Sequence, residues 1–86
     1  MAKVRQKPER RISAKQAAQN AALYLQSLVD QANDILVEEL ELSEEGEYWL
    51  ITLSHRIGME FAPKEYKLFK VDAKSGEVLS MKIRKS

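Results

Sequence analysis

Tyr66-Lys-Leu-Phe-Lys-Val-Asp-Ala-Lys-Ser-Gly-Glu-Val-Leu-Ser-Met-Lys-Ile-Arg84 reads as two strands folded about a turn at Asp72 to Gly76. The Asp72 carboxylate can accept from backbone amides about two residues on, and Gly76 supplies the positive φ that closes a longer hairpin with a bulge. After the turn, Leu79, Met81 and Ile83 alternate with Ser80, Lys82 and Arg84, which predicts one apolar and one solvated face. Before it, Phe69 and Val71 share one face while Tyr66 and Leu68 share the other. That pattern implies a bulge, or a strand partly covered on both sides.

Working outward from the hairpin, Tyr48 to His55 is a second strand of the same kind. It sets Trp49, Ile51 and Leu53 against Tyr48, Leu50 and Thr52, with Trp49 expected in the core. Ser43-Glu-Glu-Gly46 gives the turn before it. Upstream of that turn lies another strand, in which Leu36, Leu40 and Leu42 are expected on one face and Val37, Glu39 and Glu41 on the other. Ser13 and Gln16 have capping-box spacing and open a helix. Ala14, Ala18, Ala21, Leu25, Leu28 and Ala32 form its stripe, widened by Ala22 and Val29, and Asn33 and Asp34 are expected to end it. Arg56 to Lys64 is a connector with Gly58 and Pro63, and its Met59 and Phe61 are expected to tuck over the edge of the core. The fold class is α+β: one N-terminal helix packed on a four-stranded antiparallel meander.

Eighty-six residues suit a single small domain, and the absence of cysteine removes disulfides and thiolate sites. Residues 1–12 are read as a flexible basic arm and residues 13–86 as the domain. The arm lacks the apolar run of a signal peptide, and no stretch approaches the roughly 20 apolar residues of a membrane span, so a cytoplasmic chain is expected. The net charge of +1 hides a segregation. Lys3, Arg5, Lys7, Arg10, Arg11 and Lys15 stand against Glu9 alone. Asp30, Asp34, Glu38, Glu39, Glu41, Glu44, Glu45 and Glu47 come next with no basic residue among them, and the remainder is basic again.

The chemistry of sites is sparse. His55 is the only histidine, so neither a nucleophilic dyad with cysteine nor a histidine-rich metal site can be assembled within one chain. It is expected to be structural or solvent-facing. The glutamates lack the Asp, Asn and Gly spacing of a calcium loop and read as a solvated face that deters edge pairing or attracts a basic partner. No catalytic residue, metal or cofactor is expected. Two binding surfaces remain. Lys3, Arg5, Lys7, Arg10 and Arg11 form a candidate polyanion site for nucleic-acid phosphates, although the arm has no aromatic residue to stack on bases. Tyr66, Lys67, Lys70, Lys82 and Arg84 form a candidate partner-binding surface on the sheet face opposite the helix, with edge addition of an extended peptide as its mode. A monomer or an edge-paired dimer fits the free sheet edges.

The order of features resembles the PepSY domain. A helix precedes a hairpin whose second strand carries its aromatics in Glu45-Gly46-Glu47-Tyr48-Trp49, and Tyr66 to Phe69 leads into Val71-Asp72-Ala73-Lys74-Ser75-Gly76-Glu77-Val78-Leu79. The resemblance spans roughly residues 13–84, and the matching positions are turn and core positions. It implies a small α+β module of the kind found in peptidase propeptides and bacterial envelope proteins, with peptidase regulation as an implied role. The sequence is therefore read as a non-enzymatic module that binds a protein or peptide, with polyanion binding by the arm as the alternative.

Overall fold

A computed structural model describes residues 10–59 and 61–84. The predicted flexible arm lies outside these residues up to Glu9. One helix, α1 (Ala14–Leu28), precedes four strands, β1 (Ala32–Leu42), β2 (Tyr48–Ile57), β3 (Glu65–Asp72) and β4 (Val78–Arg84). The strands pair antiparallel in the order β1-β2-β3-β4, and α1 packs on one face, so the fold is α+β. No helix among the described residues is long and apolar enough to cross a membrane.

Ser13 caps α1 by accepting from the Gln16 amide at 3.0 Å. The Gln16 side chain does not complete the reciprocal box; its amide donates to Asn20 instead. Ala17, Ala21 and Leu25, one turn apart, are fully buried. The buried stripe thus runs through Ala17, and Leu28 is 58 % exposed. Small residues in the first two turns let the helix backbone approach the sheet, and Leu25 fills the space beyond. Against them lie Ile51 and Leu53 of β2 and Phe69 and Val71 of β3, all fully buried. Each of these large side chains contributes roughly 1.5–3 kcal/mol by leaving water. Tyr24 adds an edge-on contact to the Phe69 ring at 6.5 Å between centroids.

The helix ends earlier than Asn33 and Asp34. β-Branched Val29 takes an extended backbone while its amide still closes onto the Leu25 carbonyl, and Gln31 then turns the chain with φ 61°. Asn33 and Asp34 belong to β1, where Asp34 has φ 55°. The β1–β2 register shifts between Asn33 and Leu36 and again between Val37 and Glu39. Each extra residue reverses the parity of the residues beyond it. Leu40 and Leu42 therefore face the helix opposite Ile51 and Trp49, but Leu36 lies opposite Ser54 on the other face, not with the other two leucines.

The two turns form as their residues dictate. Ser43 Oγ accepts from the amides of Glu47 and Tyr48, and Gly46 has φ 79°. Asp72 Oδ1 accepts from the amides of Lys74 and Ser75 at 2.8 and 2.9 Å, and Gly76 has φ 81°. These amides hold the Asp72 carboxyl below its ordinary value of 3.8, Ser75 contributing most and Lys74 next. β3 itself is regular. The bulge lies across from it at Leu79, between the Lys70–Ser80 and Val71–Val78 pairs. Met81 consequently packs on the core, whereas Leu79 and Ile83 stay 46 % and 77 % exposed. The connector also departs from expectation: Met59 and Phe61 are 74 % and 88 % exposed, because nothing among the described residues holds them against the core.

Candidate functional site

Because directly paired strand residues point the same way, the register defines the sheet face opposite α1. One row across it is Glu39, Thr52, Leu68 and Lys82; the next is Glu41, Leu50, Lys70 and Ser80. A third contains Leu36, Ser54, Tyr66 and Arg84. The face is thus acidic along β1, uncharged over β2 and basic toward β4. No helix or strand of the described chain covers it.

Its side chains cover one another. Thr52 and Ser54 are almost fully buried although they point away from the helix. Ser54 Oγ donates to Glu38 Oε2 at 2.7 Å, and Lys64 approaches the same carboxylate at 3.6 Å. Arg84 reaches from β4 to Glu39 Oε1 of β1 at 2.9 Å and to Thr52 Oγ1 at 3.3 Å. This strap spans the sheet over one end of the face, beside Tyr66. Nearer the turns, Lys70 Nζ sits 4.9 Å above the Tyr48 ring. Between the two, a depression of about 520 Å³ runs over Leu50, Thr52 and Leu68, walled by Glu39 and Glu41.

Four of the five residues expected on this surface are there: Tyr66, Lys70, Lys82 and Arg84. Lys67 is not. It shares the parity of Phe69 and Val71, so it lies on the helix face with only 6 % exposure. Its stem is buried, and its ammonium donates to Glu65 Oε1 at 3.1 Å and to His55 Nε2 at 3.0 Å. His55 is fully buried, so of its two expected roles the structural one applies. Accepting at Nε2 leaves its ring proton on Nδ1, which lies 3.4 Å from the Arg56 carbonyl. The signal is present in the chain, since His55 continues the alternation of Trp49, Ile51 and Leu53.

Of the candidate polyanion residues, Lys3, Arg5 and Lys7 lie outside the described residues. Arg10 is exposed. Arg11 donates from Nε to the Gly46 carbonyl at 3.0 Å, which places it beside Glu45 and Glu47. Ile12 is likewise tied down, its amide donating to the Ala73 carbonyl. The last two residues assigned to the arm are therefore held on the domain. Trp49 is half-buried against the core, with Nε1 donating to the Ile12 carbonyl at 3.1 Å. Among the described residues no three His, Asp or Glu side chains converge in a group that could hold a metal ion. No family model matches this chain, no curated protein matches it, and no solved structure matches it.

Proposed function

We propose that this chain is a non-enzymatic binding module that takes an extended protein or peptide segment on the sheet face opposite α1 and along the adjoining β4 edge. The observation that carries this reading is the uncovered face itself. Tyr48, Leu50, Tyr66 and Leu68 give it an apolar and aromatic middle, and Lys70 and Lys82 give it a basic side. An extended segment lying there gains stacking and apolar contact from the middle, while acidic side chains on it find the lysines. Outward-facing backbone groups of β4 offer the hydrogen bonds of an added strand. The resemblance carried by Val71 to Leu79 points to the same class of module, with a peptidase as the kind of protein regulated.

The test is selection from a displayed random-peptide library on the folded protein, with subsequent mapping of amide shifts by an enriched peptide. Shifts confined to Leu50, Tyr66, Leu68, Lys70 and β4, and binding weakened about tenfold by Lys70→Glu, are expected. Shifts on the solvent side of α1, or no enrichment, would reject the reading. Polyanion binding remains the second reading, and the tether of Arg11 to Gly46 between two glutamates counts against it. Salt-sensitive retention of single-stranded DNA, lost on removing residues 1–9, would favour it instead.

A further inference from the structure

The segregation of charge along the chain has a spatial counterpart. The acidic segment contains β1, and β4 carries Lys82 and Arg84 with no acidic residue; these are the two outer strands of the sheet. Each ends in a stretch without a register shift, Glu39 to Leu42 in β1 and Ser80 to Arg84 in β4. Both stretches alternate charged residues on the open face with apolar residues on the helix face. Their signs are opposite.

We propose that copies of this chain associate head to tail, the β4 edge of one pairing with the β1 edge of the next. The inference rests on the binding-module reading and names the partner at the β4 edge. Strand direction alternates across the meander, so a copy placed beside β4 in the same orientation presents its β1 antiparallel, with both helices on one face. One antiparallel register satisfies every pair. Glu41 stands opposite Lys82 and Glu39 opposite Arg84 on the open face. Leu40 stands opposite Ile83 and Leu42 opposite Met81 on the helix face. Opposite charges and apolar pairs across strands are the stabilising combinations, and like charges there are the destabilising ones.

Two observations favour a second copy. Ile83 is 77 % exposed on the helix side of an outer strand, and the register covers it with Leu40. The side chains of Glu41 and Lys82 have no hydrogen-bond or ion-pair partner among the described residues, whereas those of Glu39 and Arg84 already form a pair within the molecule. Pairing β4 with its own copy would instead set two basic strands side by side. Because β4 and β1 are different surfaces, the contact is heterologous and does not close at a dimer.

Sedimentation velocity over a concentration series tests this on the full chain, with wild type, Glu41→Lys, Lys82→Glu and an equimolar mixture of the two variants. Wild type is expected to form species beyond the dimer that grow with concentration and shrink with added salt. Each variant alone is expected to associate about tenfold more weakly, since a favourable pair becomes a like-charge pair. Mixing restores association, because each variant then meets the opposite sign on the other. Both positions are on the surface, and far-ultraviolet circular dichroism checks that each variant is folded. A wild type that stays monomeric to millimolar concentration overturns the proposal. So does association kept at full strength in Glu41→Lys, which would mean that the β1 edge takes no part in the contact. If library peptides bind β4 while wild type stays monomeric, only this inference fails; if neither binds, the module reading fails with it.

Discussion

The two ends of the sheet are held in different ways. At the end carrying both hairpin turns, backbone and side chain lock several distant segments together. Ile12 donates to Ala73, Ala73 donates to Glu47, Asn20 donates to Gly76, and the Trp49 indole donates to Ile12. At the opposite end the α1–β1 turn and the connector meet through Gly58 and Gln31, with Asn33 donating to the Gly58 carbonyl. Arg56 bridges Asp34 and the Ala62 carbonyl there. Beyond those bonds the connector holds two apolar side chains in water. Order at the first end comes from part-buried, mutually supporting bonds, and at the second mostly from exposed polar ties.

The largest effect should come from breaking the first end. Trp49→Ala removes an indole that packs on the core and bonds Ile12, and should lower stability by about 3 kcal/mol in urea unfolding. A loss under about 1 kcal/mol would mean that the Ile12 segment is held without it. A smaller effect, present near neutral pH and lost in acid, should come from the turn. The Asp72 carboxyl is held below 3.8 in the folded chain, so its contribution is fully present above that value and is lost as pH falls through the lower folded value. The stability gap between wild type and Asp72→Ala should therefore narrow as pH falls from about 5 toward about 2. A gap that stays constant would remove the turn amides as the cause. The smallest effect belongs to the second end: Met59→Ser with Phe61→Ser should change stability by no more than about 0.5 kcal/mol. A larger loss would show that the connector packs in solution and would erase the contrast.

The same contrast explains how much of the fold is legible in the chain. Asp72, Gly76, Ser43, Gly46 and Ser13 act on amides a few residues away, so their chemistry is local and can be read directly. Parity is also local, but only until an extra residue enters. The shift between Val37 and Glu39 separates Leu36 from Leu40 and Leu42, and alternation alone misses it because a bulge depends on what the neighbouring strand does. The helix end escapes the sequence for a related reason: Gln31, not a glycine or Asn33, takes the left-handed turn, with its carbonyl accepting from Gly58 in the connector. On the candidate face, Tyr66, Lys70, Lys82 and Arg84 follow from alternation. The charge of Lys67 suggests solvent, whereas its spacing from Phe69 and Val71 places it beside the helix. Its partner His55, buried on the same face, cannot be paired with it without the β2–β3 register.

The bond from Asn20 to the Gly76 carbonyl joins residues 56 positions apart. As the chain is synthesised, α1 leaves the ribosome well before Phe69, Val71 and the closing turn on which it docks. A lone helix of 15 residues is marginal in water, so it frays until those partners arrive. At roughly 5–20 residues per second that interval lasts a few seconds. The helix, first to be made, therefore meets its full set of packing partners only after the β3–β4 hairpin has been made.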